Sequence, residues 1–115
     1  MRARKLQSDH VQAAKAGLRA WADHNAIPLV DIFEMSGSVI DEPDFGQTIW
    51  LFFETDAQVT QFKSDGTTAR VQDAFLKILR DGGYPDQWLA VVTFDADSRE
   101  RVDREYEGSY FNYFR

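Results

Sequence analysis

One segment of the chain carries apolar side chains on both of its faces, and this feature constrains the fold more than any other. Within Thr48 to Glu54 (TIWLFFE), two aromatic residues point to one side and three apolar residues to the other: Trp50 and Phe52, against Ile49, Leu51 and Phe53. A strand with this pattern has to be covered on both faces, as the central strand of a sheet is. The sequence therefore predicts a layered domain built around this strand.

Two longer segments have the apolar spacing of amphipathic helices. The first is predicted from Asp9, which has capping-box spacing to Gln12, as far as His24. Its apolar stripe consists of Val11, Ala14, Leu18, Trp21 and Ala22. The second is predicted from about Thr68 to Asp81, where the pair Gly82-Gly83 ends it.

Three further segments have the composition of strands, being rich in β-branched and aromatic residues. They are Pro28 to Met35, Gln87 to Phe94 and Ser109 to Phe114. The pair Val39-Ile40 is compatible with the start of one more short strand. We expect the last segment, at the end of the chain, to add to the same sheet as the others.

The stretch 55–63 is open to two interpretations. Thr55 and Gln58 have capping-box spacing, which favours a short helix, whereas Val59 and Phe62 are also compatible with a return strand. The helix is favoured. With it, the chain is expected to form a single α+β domain over residues 1–115, with a mostly antiparallel sheet of about four to five strands and two main helices packed on it.

Charge and composition exclude several classes of function. The chain has 13 Lys and Arg residues against 19 Asp and Glu, and its net charge of −6 has the wrong sign for binding a nucleic-acid backbone. It has no cysteine, so disulfides, thiolate metal sites and cysteine nucleophiles are excluded. No apolar run approaches the ~20 residues that cross a membrane, and no apolar signal segment follows the basic start. We expect a cytoplasmic protein without a cofactor or a metal.

An acidic loop provides the first candidate site for a partner. Asp41, Glu42 and Asp44 lie around a proline between two predicted strands, where a loop is expected to be exposed. Their carboxylates suit the Lys and Arg side chains of a basic protein, although oxygen ligation of a hard cation or simple solvation would suit the same residues.

The C-terminal region provides the second candidate site. Asp97 and Glu100 have capping-box spacing and predict a charged helix from Ser98 to Tyr106, before the aromatic end of the chain. Tyr and Arg dominate the energetics of many protein interfaces because they combine large area with planar or polar groups. The candidate partner-binding residues are Arg101, Arg104, Tyr106, Tyr110 and Tyr113. The alternative is that one side of a final strand packs in the core.

No residue is predicted to be catalytic. Asp31 and Glu34 interrupt an apolar strand, but an odd spacing turns them to opposite faces, so they are not expected to share a site. A small enzyme or ligand-binding protein would instead use a cleft near Asp31, Glu34, Tyr110 and Asn112. A regulatory homodimer is a further alternative.

The final third of the chain contains a predicted strand that begins with Trp, WLAVVTF, and a charged, aromatic end, DREYEGSYFNYF. In these two segments the chain resembles small acidic bacterial immunity proteins of the YezG kind. The resemblance implies a non-catalytic inhibitor that binds a toxin in the cytoplasm. Together with the acidic charge, it favours a protein-binding module of the immunity or antitoxin type, acting on a basic partner.

Overall fold

A three-stranded sheet with helices on both of its faces organises the part of the chain that the structure describes. The structure is a computed structural model, and it describes residues 2–36 and 46–115. The elements in chain order are α1 (Arg2–His24), β1 (Leu29–Ser36), β2 (Gln47–Phe53), α2 (Asp56–Asp65), α3 (Thr67–Asp81), α4 (Asp86–Leu89), β3 (Val92–Ser98), α5 (Arg99–Tyr106) and α6 (Tyr110–Tyr113).

The predicted α+β class is confirmed, and the strands belong to one compact domain. The sheet has the order β1-β2-β3, with β1 antiparallel to β2 and β2 parallel to β3. The expected four to five strands and mostly antiparallel pairing are not confirmed, because the described strands form a mixed sheet of three. The pair Val39-Ile40, a candidate for another strand, lies outside the described residues.

The inner face of the sheet packs against α1 and α3 to form the main core. Ile49, Leu51 and Phe53 of β2 are fully buried there, as the two-sided pattern of this strand predicts. The apolar stripes of the two long helices meet them, and α3 keeps the predicted bounds to within one residue. The helical residues buried in this core are Val11, Ala14, Leu18, Ala22, Val71, Phe75 and Leu79.

Helix α1 begins at Arg2, so the predicted start at Asp9 is wrong. The extra turns are tied to the fold by Gln7, which is buried and donates a hydrogen bond to the Tyr84 hydroxyl at 3.1 Å. This bond spans 77 positions in the sequence, and a local capping pattern cannot reveal it. At 23 residues α1 is long, but no helix among the described residues is both long and apolar enough to cross a membrane.

The favoured interpretation of the stretch 55–63 is confirmed. The Thr55 side chain accepts a hydrogen bond from the Gln58 amide, and the Gln58 side chain accepts one from the backbone of Thr55, so the capping box is complete. The helix that it starts runs to Asp65, and Gly66 ends it in a left-handed conformation with φ of 89°. Glycine reaches this conformation without steric cost.

One predicted strand is confirmed only at its end, and another is wrong. The segment Gln87 to Phe94 is divided between α4 and β3, because Trp88 is buried against Tyr84 at a ring-centroid distance of 5.4 Å on a helical turn that follows Pro85. The strand begins only at Val92 and runs through two aspartates to Ser98. The segment Ser109 to Phe114 is not a strand either, since its central residues form helix α6.

The charged helix before α6 is confirmed as α5, although its cap differs from the prediction. Ser98 is the N-cap residue, and its hydroxyl accepts a hydrogen bond from the Arg101 amide at 2.9 Å. Asp97, predicted to be the cap, is instead a residue of β3. Its side chain is thereby available to the sheet face opposite the main core.

Candidate functional site

The outer face of the sheet, which bears Trp50 and Phe52, is covered by aromatic side chains of α6. Phe52 is fully buried, and its ring centroid lies 4.9 Å from that of Tyr110, 5.4 Å from that of Tyr113 and 6.0 Å from that of Phe114. These pairs meet edge to face, as the charge distribution of aromatic rings favours. Helix α6 therefore closes the outer face with a second core that is rich in aromatic residues.

The helical conformation decides which aromatic residues point inward. Residues three and four apart lie on the same side of a helix, so Tyr110, Tyr113 and Phe114 face the sheet together. The helix is capped by the Ser109 hydroxyl, which accepts a hydrogen bond from the Asn112 amide. Phe111 is turned away from the sheet and is 76% exposed.

Two tyrosine hydroxyls fix α6 to opposite edges of the sheet. Phe52 is paired with Asp31 of β1 on one side and with Asp97 of β3 on the other. The Tyr110 hydroxyl donates a hydrogen bond to Asp31, and the Tyr113 hydroxyl donates one to Asp97. Helix α6 thus lies across all three strands. It is bonded at one edge to Asp31 and at the other to Asp97, the two residues that flank Phe52 on the neighbouring strands.

These contacts raise the pKa of both phenols. Burial is the larger cause in each case, because it disfavours the phenolate, and the neighbouring carboxylate adds to the effect by accepting the proton in a hydrogen bond. The pKa of Tyr110 is raised to about 12. The pKa of Tyr113 is raised further. Both groups are therefore hydrogen-bond donors throughout the physiological range.

Asp31 is surrounded by cationic groups at the β1 edge. The guanidinium groups of Arg19 and Arg99 lie 3.9 Å and 4.0 Å from its carboxylate oxygens. Arg99 also lies 5.1 Å from the centroid of the Tyr110 ring, and its Nε donates a hydrogen bond to Asp103 at 3.0 Å. The carboxylate is engaged by α1, α5 and α6 together.

A larger charge network lies at the β3 edge. Arg101 donates a hydrogen bond to Asp97 at 3.1 Å, and its Nε lies 3.2 Å from Glu105 without the alignment of a hydrogen bond. The Arg104 guanidinium donates one hydrogen bond to the Glu105 carboxylate at 3.0 Å and another to the Asp56 carboxylate at 2.7 Å. The hydrogen bond that Asp56 accepts from the Ser98 hydroxyl, followed by that from Arg104, lowers the pKa of Asp56.

The structure brings most of the predicted C-terminal site residues together. Arg101, Arg104, Tyr106 and Tyr113 adjoin the β3 edge, where the Tyr106 and Tyr113 rings lie 5.2 Å apart. Tyr110 lies across Phe52, at the β1 edge. Tyr110 and Tyr113 contact the sheet through their hydroxyls and rings, so they hold α6 in place beneath its exposed side.

The acidic-loop residues of the predicted site, Asp41, Glu42 and Asp44, lie outside the described residues. Phe111 was missed by the sequence analysis because a strand and a helix expose different residues of the same segment. The signal that would have found it is the Ser109 cap, after which positions 110, 113 and 114 share a helical face.

The predicted separation of Asp31 and Glu34 is confirmed. Glu34 accepts hydrogen bonds from Gln12 at 2.5 Å and from Lys15 at 2.7 Å, both on α1, whereas Asp31 binds Tyr110 at the outer face. The two carboxylates therefore do not form a pair that could share a proton. In the part of the chain that the structure describes, no group of three or more acidic or histidine side chains could hold a metal ion.

Comparison with known proteins found no protein-family model, curated protein or solved structure that matches this chain.

Proposed function

We propose that the chain is a non-catalytic protein-binding module for a basic partner, and that α6 is the centre of its contact surface. The observation that carries the proposal is the exposure of Phe111. At 76%, Phe111 is the most exposed large apolar side chain among the described residues, and aromatic side chains are enriched among the anchors of protein interfaces.

The setting of Phe111 supports an anchor role because the residue stands on a rigid base. The residues before and after it hold α6 to the sheet through Phe52, Asp31 and Asp97, so its position is fixed before binding. A preorganised side chain loses little conformational freedom on association, which increases affinity. The guanidinium of Arg115, 5.8 Å from the Phe111 ring centroid, adds a polar group at its rim.

A binding role also agrees with how the ionisable groups around α5 and α6 are used. Asp31, Asp97, Arg101 and Arg104 each have a partner within the chain, and these bonds fix the surface. The net charge of −6 favours encounter with a positively charged protein. The resemblance of the C-terminal region to immunity proteins makes an inhibitor of a basic toxin the specific form of this proposal.

The proposal is tested by affinity capture from the native cell with three forms of the chain: wild type, Phe111→Ala and Leu6→Ala. Leu6 is a matched control because it is an exposed apolar residue, at 51%, on the remote helix α1. We expect wild type and L6A to retain a basic protein in a one-to-one complex. F111A should bind that protein more weakly by about 30-fold or more, the effect of an interface hot spot.

Three outcomes would contradict the proposal. These are capture of no stoichiometric partner, capture of a partner that F111A binds as tightly as wild type, and capture of copies of the same chain alone. The last would support the homodimer alternative. If the partner is an enzyme or a toxin, its activity measured with increasing amounts of the chain should fall to zero near equimolar addition.

A further inference from the structure

Strand β3 lies at the edge of the sheet, and part of this edge faces open space. The sheet order β1-β2-β3 leaves one side of β3 without a neighbouring strand among the residues that the structure describes. At the end of β3, helix α2 lies against the strand, since Asp56 accepts a hydrogen bond from the Ser98 hydroxyl. Beside residues 94–96, however, a cavity of about 280 Å³ lies between the strand and the helices α2 and α3.

The backbone groups of this segment point toward the open side. The Gln47 amide of β2 donates to the Val91 carbonyl at 3.3 Å, and this bond sets which residues of β3 bond to β2. In a parallel ladder alternate residues bond to the neighbouring strand, so Phe94 and Ala96 direct their N–H and C=O groups away from β2. A strand from another chain can add to an edge that presents such groups.

The two sides of this edge differ in chemistry. On the inner side of the sheet, the side chains of Phe94 and Ala96 line the cavity together with Val59. Asp95 pairs with Trp50, so its side chain lies on the outer face. It is exposed, and among the described residues its carboxylate makes no ion pair or hydrogen bond. An added strand would therefore meet an apolar recess on one side and an unpaired carboxylate on the other.

These two sides select a strand in which two kinds of residue alternate. Successive side chains of a strand point to opposite faces, so the residue next to one beside Asp95 points into the cavity. Opposite charges on neighbouring strands attract, which favours Lys or Arg beside Asp95. Lys63 lines the cavity and disfavours a basic side chain on the inner side, so it helps to fix the register.

A second copy of this chain fits the edge poorly. In an antiparallel pair that joins Phe94 of one copy to Ala96 of the other, the two Asp95 carboxylates lie opposite each other. The register that joins the two Ala96 residues places Asp95 opposite Asp97. Like charges at opposite positions are destabilising. The edge is therefore better suited to a basic strand than to itself.

We propose that β3, around residues 94–96, binds an extended segment of another protein in which basic and small apolar residues alternate. The segment adds as an antiparallel strand, the more stable arrangement per residue. Its apolar side chains enter the cavity, and a basic side chain pairs with Asp95. The cavity shares no residue with α6, so this proposal goes beyond the α6 contact and is tested independently of it.

NMR titration of the full chain, labelled with ¹⁵N, tests the proposal with the end-capped peptide TKVKVKT. We expect saturable shifts of the Phe94 and Ala96 amide signals, with a dissociation constant of about 1 mM or tighter. The peptide TKKVVKT has the same composition without alternation, and it should bind at least about threefold more weakly.

N-methylated forms of TKVKVKT test whether the backbone of the peptide bonds to β3. In the antiparallel arrangement the valine amides face β3 and the lysine amides face away from it. N-methylation of one valine should therefore weaken binding about fivefold or more, because it removes a donor to the strand. N-methylation of the central lysine is the matched control and should have little effect.

Variants of the chain locate the bound peptide. Asp95→Lys should weaken binding of TKVKVKT about fivefold or more, because it replaces attraction by repulsion. Asp23→Lys is the matched control, since Asp23 is also exposed, the net charge changes equally, and α1 does not line the cavity. Phe111→Ala should bind the peptide as wild type does, which separates this site from the α6 surface.

Four results would overturn the proposal. The first is the absence of saturable shifts at Phe94 and Ala96 up to about 10 mM TKVKVKT. The second is binding that survives N-methylation of the valine, and the third is an equal loss in Asp95→Lys and Asp23→Lys. The fourth is a shift of the same two signals on dilution of the free chain, which would show that a second copy occupies the edge.

Discussion

Asp97 receives hydrogen bonds from three directions, and this makes it the most constrained carboxylate of the outer face. It accepts from the Ser98 amide at 2.8 Å, from Arg101 of α5 at 3.1 Å and from the Tyr113 hydroxyl of α6. The residue is only 8% exposed. A carboxylate is tolerated at such burial when its oxygens are satisfied, so each of these donors contributes to the stability of the fold.

The Tyr113→Phe variant tests this contribution. It removes one hydroxyl and leaves the ring on Phe52, so we expect a loss of about 2 kcal/mol in the free energy of unfolding, the usual effect of a hydrogen bond to a charged group. Tyr106→Phe is the matched control, because the Tyr106 ring packs on Tyr113 while its hydroxyl has no bond like that between Tyr113 and Asp97. Urea denaturation measures both variants, and equal losses in the two would contradict the assigned bond.

The raised pKa of Tyr110 predicts a loss of stability in alkali. Burial first, and the hydrogen bond to Asp31 second, raise the pKa of this phenol to about 12, against about 10 in an unfolded chain. A pKa raised by folding means that the protonated form is favoured in the folded state. The contribution is complete below pH ~10 and is lost as the pH rises through ~12.

This pH dependence is measured by urea denaturation between about pH 9 and pH 12. We expect the midpoint of wild type to fall more steeply over this range than that of Tyr110→Phe, which has no phenol to ionise. Lysine titration affects both proteins alike and cancels in the comparison. Parallel curves would show that Tyr110 has an ordinary pKa in the folded chain.

At the scale of elements, α6 is stable only because of what it covers. A helix of four residues does not form alone in water, since helix nucleation is unfavourable. It is held by the packing of three partly buried aromatic rings, those of Tyr110, Tyr113 and the following Phe114, against the outer face, and by the two hydroxyl bonds at the edges of the sheet. The sheet in turn depends on α6 to keep Trp50 and Phe52 from water.

Ending the chain at Gly108 tests this mutual dependence. Loss of residues 109–115 uncovers Trp50 and Phe52, so the shortened chain should have a strongly reduced free energy of unfolding. It should also bind the dye ANS. A chain that lacks only Arg115 is the control and should behave as wild type. If the chain ending at Gly108 unfolds at the wild-type urea midpoint, α6 is not part of the core.

The elements that could be predicted from sequence are those whose own periodicity decides their structure. Strand β2 and helix α3 have continuous apolar patterns, and the capping box at Thr55 is local and complete. The segment Ser109 to Phe114 misled prediction because Tyr and Phe favour strands, while the signal for a helix is one serine hydroxyl. The packing of the aromatic rings on Phe52 in the folded chain favours the helix over the strand.

The candidate site was harder to predict than the elements because its bonds join distant parts of the chain. Tyr110 and Asp31 are 79 positions apart, and Asp56 and Arg104 are 48 apart. Asp97 has the sequence features of a helix cap, yet it serves as a strand residue whose partners come from α5 and α6. The sequence shows which residues carry charges and hydroxyl groups, but it does not show which way their side chains point or which partners they bind.

At the scale of the whole molecule, the excess negative charge and the apolar anchor come from different parts of the sequence. Residues 99–115, which form α5 and α6, contain four arginines and four acidic residues, so the net charge of −6 arises from residues 1–98. In the proposed complex, the long-range field would attract a basic partner to the molecule as a whole. Phe111, an uncharged side chain on α6, would provide the contact that holds it.

This separation predicts different kinetic effects for salt and for Phe111. Raising sodium chloride from about 50 to 500 mM shortens the Debye length from roughly 14 to 4 Å, so the association rate with the basic partner should fall by about tenfold or more. The dissociation rate should change little. The Phe111→Ala substitution should have the opposite effect, a faster dissociation with an almost unchanged association rate, because it removes contact area and no charge.

Surface plasmon resonance on the captured complex measures both rates, with Leu6→Ala as the control for loss of an apolar side chain. An association rate that is independent of salt would mean that the acidic field does not guide the encounter, and a Phe111→Ala variant with wild-type dissociation would place the contact elsewhere on the molecule.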